Sequence, residues 1–290
     1  MTFLPPMLAH ELKRRPDAMT SPEYVAEPKM DGERLIACVE NGRTVAAWSR
    51  RGLPQLGTKQ LRWLADVAWP IQSGLLDAEA IAGDGRSMAQ ATAAAAESKA
   101  GLDYGLVVFD VLELDGEDLT SHPLTERRRR LEAVFASWSH PRITLVPQCD
   151  DAQALWDLWV VGQGGEGLML KLQTSRYLPG KRSESWLKAK IEVDVDVVIT
   201  GVTEKATWNR TGYKTGECGL TYGYFDEVRR QLVTVGQGIK VGSRAELEPF
   251  VGRVCVCLCN GVTKSGAMRH GRLKAWRGDK SPEDCVMEVA

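Results

Sequence analysis

Three absences narrow the class of protein that this sequence can encode. No uninterrupted apolar run among its 290 residues is long enough to cross a bilayer. The N-terminus has no basic segment, and Pro5 and Pro6 interrupt the place where the apolar core of a signal peptide would begin. The seven cysteines form an odd set without Cys-x-x-Cys spacing, which argues against a disulfide framework. We therefore expect a protein of the cytoplasm, either of a cell or of an infected cell.

The sequence also lacks an excess of charge of either sign. Lys and Arg together number 37 and Asp and Glu 38, so the formal net charge is -1. Bulk attraction to nucleic acid is thereby excluded, and any such binding has to come from local patches. A hydrophobic fraction of 43% suits a soluble globular fold, and the length suits two domains.

The stretch over residues 27–34, Glu-Pro-Lys-Met-Asp-Gly-Glu-Arg, is the most informative part of the chain. It lies between two predicted strands, where a scaffold can aim the Lys29 side chain into a cleft. We interpret Lys29 as the nucleophile of a covalent nucleotide-transfer site. Taken alone, the Lys-x-Asp-Gly-x-Arg pattern has an equally good explanation as a tight surface turn around Asp31 and Gly32. The rest of the chain has to decide between the two.

The pattern of apolar residues predicts an α+β first domain and a smaller all-β second domain. Strands are predicted over 24–27, 35–39, 44–48, 75–81, 104–112, 166–171 and 185–190, with turns at Asn41-Gly42 and Asp115-Gly116. Helices are predicted over 60–65, 88–100, 124–136 and 152–161. Only short strands with glycine-rich turns follow, which fits a small barrel of the oligonucleotide-binding (OB) kind. We place the domains at 1–192 and 193–290.

Two clusters invite a functional interpretation that we rate below a structural one. The four arginines at 127–130 resemble a DNA-binding patch, but the apolar stripe of the same helix favours a solvated helix face. Cys255, Cys257 and Cys259 share one face of a strand and could hold a metal ion. Without histidine or a second cluster, packing in the core is the favoured interpretation.

Seven motifs follow one another along the chain, at 29–34, 49–52, 75–81, 104–110, 166–171, 186–190 and 269–280. In content and order they resemble the motifs of the ATP-dependent DNA ligases, within the wider family of covalent nucleotidyltransferases. The resemblance covers essentially the whole chain. One departure is Ala78, which replaces the usual glycine before Glu79.

The resemblance implies roles for individual residues. Lys29 would form the bond to AMP, Glu27 would contact the adenine and Phe109 would stack on it. Arg34 and Arg50 would contact ribose and phosphate, and Glu79 and Glu166 would lie near the sugar and the metal. Lys188 and Lys190 would grip the α-phosphate, and Arg277, assisted by Lys280, would orient the pyrophosphate. A lysine with an ordinary pKa of about 10.4 is a poor nucleophile at neutral pH, so we expect cationic neighbours or a metal to activate it.

Each of these assignments has a structural rival. From pattern alone, Phe109 is a core residue, Glu79 a solvated acid, and Lys188 and Lys190 are charges that protect a sheet edge. Arg277 could belong to a plain basic stripe for DNA phosphates. The order of the motifs along the chain makes the functional roles the favoured interpretation.

The resemblance further implies ATP as AMP donor, Mg²⁺ as cofactor and nicked duplex DNA as substrate. We expect a monomer of the compact two-domain kind, from a bacterial cell or a phage-infected host, with no membrane partner. The enzyme alternatives are an RNA ligase and a capping guanylyltransferase. The non-enzyme alternative is an inactive nucleic-acid-binding module, which the presence of the nucleophile and its charged partners disfavours.

Overall fold

The computed structural model describes residues 2–82, 104–204, 217–263, 265–269 and 271–286. The chain forms two compact units, Met1–Ala189 and Lys190–Ala290. The helix predicted over 88–100 lies outside the described residues. Within the described ranges, no helix is both long and apolar enough to span a membrane.

The first unit is built mainly from two sheets. The strands are β1 (Leu8–Glu11), β2 (Tyr24–Pro28), β3 (Glu33–Glu40), β4 (Arg43–Ser49), β5 (Ser73–Ala82), β6 (Tyr104–Leu114), β7 (Glu117–Asp118), β8 (Ile143–Leu145), β9 (Gly167–Leu172) and β10 (Arg182–Lys190). One sheet has the strand order β1-β10-β9-β2, and the other the order β4-β3-β5-β6-β7, with β8 paired to β6. The strands predicted from the sequence are thereby confirmed.

Strand β3 carries the centre of the core because both of its faces are buried. Leu35, Ala37 and Val39 belong to one apolar cluster, and Ile36 and Cys38 belong to another on the opposite face. Side chains alternate across a strand, so a continuous apolar run buries both faces. This explains why the segment directly after the Lys29 stretch is continuously apolar.

The predicted turns also form, with the backbone that their residues favour. Asn41 and Gly42 adopt φ values of 51° and 70° between β3 and β4. Positive φ at both central residues is the type I′ pattern that matches the twist of a hairpin. Asp115 and Gly116 do the same, at 49° and 89°.

The helices of the first unit agree with the sequence in part. Helix α1 (Leu124–Ala136) forms as predicted. The segment predicted as a helix over 60–65 is a short 3-10 helix, Arg62–Asp66. Leu61, Leu64 and Val67 are buried at a spacing of three, which suits three residues per turn. The segment over 152–161 divides into α2 (Ala152–Leu155) and a π-helix, Trp156–Gly162.

The solvated face that we predicted for the arginine run is wrong at its first member. Arg127 is fully buried and forms hydrogen bonds of 2.8 and 3.0 Å to the two carboxylate oxygens of Asp110. It also donates to the carbonyl oxygens of His122 and Ser175. A hydropathy pattern counts arginine as polar, so it cannot foresee a guanidinium that forms four hydrogen bonds inside the protein.

The second unit is a five-stranded sheet with the order β13-β12-β11-β14-β15. Its strands are β11 (Val193–Glu204), β12 (Cys218–Asp226), β13 (Gln231–Gly242), β14 (Val254–Cys259) and β15 (Arg272–Arg277), and helix α3 (Arg244–Leu247) lies between β13 and β14. Neighbouring strands in this sheet pair antiparallel.

The three alternating cysteines of β14 are buried in this unit. Cys255 and Cys257 belong to the apolar cluster that includes Val197 and Tyr222, and their sulfur atoms lie 3.8 Å apart. The packing in the core that we favoured for these cysteines is therefore observed. The described part of the chain contains no group of three or more metal-ligating side chains.

Candidate active site

The pairing of two strands brings Lys29 and Glu166 together. Pro28, the last residue of β2, lies opposite Leu168 in β9. Lys29 follows β2 directly, and Glu166 directly precedes β9. The Lys29 backbone N–H donates to the Gly167 carbonyl at 2.9 Å, which extends the ladder by one step. The Lys29 Nζ then donates to Glu166 Oε2 in an ion pair with 20% and 10% of the two side chains exposed.

Gly32 is required because the next strand passes close by. A Cβ at this position would collide with the Ala80 carbonyl oxygen and would lie 2.8 Å from Glu79 Cγ. Glu33 pairs with Ala80 and Arg34 with Glu79 in the ladder of β3 and β5. The glycine of the Lys29 stretch thus lets the turn after Lys29 pack directly against the strand that carries Glu79.

Arg34 is held by a buried carboxylate. Its Nε and Nη2 donate to the two oxygens of Asp77 at 2.7 and 2.5 Å. Asp77 is fully buried and also accepts a hydrogen bond of 2.6 Å from the Tyr177 hydroxyl. Burial by itself lowers the pKa of Arg34, but the charge of Asp77 and its hydrogen bonds outweigh burial and raise that pKa. Arg34 is therefore a fixed cation with a defined orientation.

Glu79 is a carboxyl of this cluster with a raised pKa. Burial raises its pKa to about 7, and the charges of Asp77 and Glu166 act in the same direction. The positive charges of Arg34 and Lys29 oppose the shift. Near neutral pH this side chain therefore exists in both protonation states, and a bound cation would favour its charged form.

Glu27 lies in a buried polar network beneath the same stretch. One of its carboxylate oxygens pairs with Lys171 Nζ at 2.7 Å, and the other accepts from Gln148 Nε2 at 2.8 Å. The side chains of Lys171 and Glu27 are 1% and 2% exposed. A buried carboxylate with two donors is fixed in place, which suits a group that recognises a ligand by hydrogen bonds.

Phe109 is half-buried and is flanked by cations and by another ring. Lys171 Nζ lies 4.6 Å and the Arg34 guanidinium carbon 4.9 Å from the centre of its ring. Trp186, which is buried, meets Phe109 edge-on with ring centres 6.4 Å apart. Cations over an aromatic face are attracted by its negative potential. Phe109 is thus part of the apolar core and also of the cluster around Lys29.

The other expected phosphate contacts lie on or directly after strands β4 and β10. Lys188 pairs with Glu11 at 2.8 Å across the ladder of β1 and β10. Arg50 is exposed at the end of β4, and no described residue pairs with it. Lys190 ends β10 and opens the second unit.

Arg277, in the second unit, is gripped by two carboxylates. Its Nε and Nη2 donate to Asp279 at 2.8 and 2.7 Å, and its Nη1 donates to Asp196 at 3.1 Å. Lys280 Nζ donates to the same Asp196 at 2.9 Å. The hydrogen bonds to Asp279 and the charge of Asp196 raise the pKa of Arg277.

The immediate partners of Lys29 differ from the cations that we expected. Its ammonium contacts Glu166 and, at 3.4 Å, the Met30 carbonyl, while Arg34 is committed to Asp77. Sequence reasoning also missed Lys171, Gln148 and Tyr177. Lys171 ends the 166–171 motif, which was a usable signal. Gln148 and Tyr177 lie outside the motifs, and only the folded chain brings them to Glu27 and Asp77.

Together these groups can position a nucleotide beside an amine. The cluster contains a lysine amine, a fixed guanidinium, a fixed carboxylate that can bind a nucleobase, and an aromatic face. Of two further carboxylates, Glu166 contacts the amine and Glu79 interacts with its charge. Such a set favours transfer of a phosphorus-containing group, which depends chiefly on orientation and on neutralising charge.

Comparison with known proteins agrees with this geometry. The family model described as "ATP dependent DNA ligase domain" matches residues 6–190. A probable DNA ligase of Streptomyces coelicolor is 32% identical over 318 aligned residues, which cover 96% of this chain and 61% of that protein. A DNA ligase of Natronomonas pharaonis is 42% identical over 99 residues, 33% of this chain and 17% of that protein. The chain thus spans less than two thirds of the length of these relatives.

Solved structures show the same fold. The ligase domain of LigD from M. tuberculosis has a TM-score of 0.55 and 24% identity, with 98% of both chains covered. A structure from the Lig E DNA ligases has a TM-score of 0.61 and 20% identity, with 93% of this chain and 98% of that chain covered. These likenesses concern the fold alone. The family model matches more than half of the chain and the Streptomyces relative aligns with nearly all of it, so the chain belongs to the ATP-dependent DNA ligase family.

Proposed function

We propose that this protein is an ATP-dependent DNA ligase that joins the 3′-hydroxyl and 5′-phosphate ends of a nick in duplex DNA. The observation that carries the proposal is the position of Lys29, next to two carboxylates and between strands that hold Arg34 and Glu27 in fixed orientations. Membership of the ligase family supports the choice of ATP and DNA over other nucleotides and acceptors.

We assign the base-binding role to Glu27 and Phe109. The carboxylate of Glu27 is fixed by Lys171 and Gln148, so it can act as an oriented hydrogen-bond acceptor for the exocyclic amine of adenine. Phe109 offers a half-buried ring for stacking. Arg34 and Arg50 would contact ribose and phosphate, and Lys188 and Lys190 would hold the α-phosphate. The hydrogen bond to Asp77 orients Arg34 before ATP binds, so less conformational entropy is lost on binding. This supports the role that we assign to Arg34.

The transfer that we propose begins at Lys29. Its neutral amine attacks the α-phosphorus of ATP, a nitrogen–phosphorus bond forms, and the bond to the pyrophosphate oxygen breaks. The Lys29 ammonium loses one proton before the attack, and Glu166, the carboxylate that it already contacts, can accept that proton. The nitrogen loses a second proton to water as the new bond forms. AMP then passes from Lys29 to the 5′-phosphate of the nick. Attack by the 3′-hydroxyl finally seals the strand and releases AMP.

Glu79 and Glu166 fit a divalent cation that is shared with phosphates. Mg²⁺ is usually held by one or two protein carboxylates together with waters and substrate oxygens. The burial that raises the pKa of Glu79 to about 7 leaves a carboxyl that a cation would stabilise in its charged form. When bound there, Mg²⁺ would neutralise charge on the phosphate oxygens.

We propose that the second unit is an OB-fold domain, with domains at 1–192 and 193–290. The support is the strand order, in which the first three strands form a meander and the fourth and fifth follow on the other side of the first. Helix α3 lies between the third and fourth strands, and β13 also lies against β15, which favours closure into a barrel. Arg277 would orient the pyrophosphate of ATP.

We further propose a monomer acting on nicked duplex DNA. The cysteines are all free thiols in the structure, which supports the expectation of a reducing compartment such as the cytoplasm of a bacterium or a phage-infected host. The free thiols do not bear on the number of subunits, and light scattering of the purified chain would determine it.

A sealing assay with Mg²⁺ tests the proposal. Nicked duplexes of DNA, RNA and DNA–RNA hybrids are incubated with ATP or GTP, and the joined strand is measured. We expect sealing of nicked DNA with ATP. Sealing of RNA in preference to DNA, or use of GTP alone, would refute the proposed substrate or nucleotide.

A further inference from the structure

The exposed face of the second sheet carries opposite charges on two strands that flank β14. Acids lie on or next to β11, and bases lie on or after β15. Arg272 pairs with Glu192 and Lys274 with Asp194, each at 2.6 Å. These two pairs are about half exposed, so their contribution to stability is small.

Asp196 differs from the other acids of this row in two ways. Its side chain is 21% exposed, against 49% for Asp194. It also binds two cations at once, Arg277 at 3.1 Å and Lys280 at 2.9 Å. One carboxylate therefore offsets the mutual repulsion of two cations that are three residues apart in the chain. Long cationic side chains lose rotamer entropy on binding, and a shared anchor reduces that loss.

The anchored cations keep donors for a further ligand. Arg277 donates Nε–H and one Nη2–H to Asp279, and it donates from Nη1 to Asp196. A guanidinium has five N–H groups, so Nη2 retains one that no described residue accepts. The Lys280 ammonium has three N–H groups and donates one of them to Asp196. Asp196 thus fixes the two cations while leaving N–H groups that can bind phosphate oxygens.

Resting on the proposed function, we propose that Asp196 is a positioning residue that holds Arg277 and Lys280 side by side for the polyphosphate of ATP. It does not itself touch ATP in this account, but acts through the two cations. Asp194, two residues earlier on the same strand and face, holds only Lys274 and provides a matched control.

Asp196→Asn tests this role, because it keeps the shape of the side chain and removes its charge. We expect Asp196→Asn to lower kcat/KM for formation of the Lys29 adduct by about fivefold, as suits a partly exposed ion-pair network. Sealing of a pre-adenylated nick should stay within about twofold of wild type, since no polyphosphate takes part. Asp194→Asn should leave both steps unchanged, and Asp196→Glu should restore part of the loss.

Two further measurements separate positioning from a general structural effect. On a Lys29→Ala background, where no transfer occurs, Asp196→Asn should weaken ATP binding in calorimetry and Asp194→Asn should not. In a double-mutant cycle, Asp196→Asn should cost less when Lys280 is already replaced by Met, because the shared partner is gone. Equal effects of Asp196→Asn and Asp194→Asn, or equal loss in both steps, would overturn the inference. A wild-type chain that forms no adduct from ATP would overturn the proposed function as well.

Discussion

Arg127→Met is the substitution that tests the packing of the first unit most sharply. The side chain of Arg127 is fully buried, and Asp110, its partner, is 2% exposed. Methionine fits a helix and has a similar length, so the substitution removes the charge and the donors with little change in volume. Asp110 directly follows Phe109, so the pair also fixes the strand that carries the proposed adenine contact.

The expected loss follows from what Arg127 leaves behind. Removing one partner of a buried ion pair costs about 3–5 kcal/mol, because the remaining charge stays buried without a counter-charge. The carbonyl oxygens of His122 and Ser175 lose their donor as well. For a unit of this size, the loss corresponds to a fall of about 6–20 °C in Tm.

Arg129→Met is the matched control, since it lies in the same helix and its side chain is 66% exposed. Urea unfolding followed by tryptophan fluorescence reports mainly on the first unit, which contains every tryptophan except Trp208 and Trp276. We expect Arg127→Met to shift the midpoint strongly, Arg127→Lys to shift it less, and Arg129→Met to leave it unchanged. Equal midpoints for Arg127→Met and Arg129→Met would show that the buried pair of Arg127 and Asp110 does not stabilise the first unit.

Two further predictions concern the Lys29 cluster. Gly32→Ala should displace Glu79 and lower adduct formation at least about tenfold, because its Cβ would lie 2.8 Å from Glu79 Cγ, whereas Gly57→Ala, with nothing within 4 Å of its Cβ, should have no effect. Adduct formation should rise with pH through about 7 as Glu79 loses its proton, and Glu79→Gln should abolish that rise along with most activity. The raised pKa of Glu79 also means that its contribution to stability is full below pH 4.5 and is lost as the pH rises through about 7. A pH profile of adduct formation that is unchanged in Glu79→Gln would contradict that assignment.

The sequence predicted most of the strands because their signals are local. The apolar run of β3 and the Asn41-Gly42 turn each specify their own backbone. The motif order likewise led to the residues around Lys29. A helix was predicted over 60–65, but its 3-10 type was not, because the burial of Leu61, Leu64 and Val67 is visible only once the core is known.

The partners of charged residues were the hardest to foresee. Arg34 forms an ion pair with Asp77, and Lys171 with Glu27, because strands that are distant in the sequence pair in the sheets. Sequence spacing identifies which residues carry charge, but the register of the sheets decides which charges meet. For the same reason, the pairing of Arg277 and Lys280 with Asp196 could not be read from the terminal motif.

Lys29 is the residue that we propose takes AMP from ATP. Incubation with α-labelled ATP and Mg²⁺, followed by digestion and mass spectrometry, locates the adduct directly. We expect one AMP on the peptide that contains Lys29, released by added pyrophosphate. We expect no adduct in Lys29→Ala, even though that variant still binds nicked DNA. Lys171→Met serves as a second lysine variant, and any adduct that it forms should still map to Lys29. An adduct on another residue, or one that persists in Lys29→Ala, would show that Lys29 is not the nucleophile.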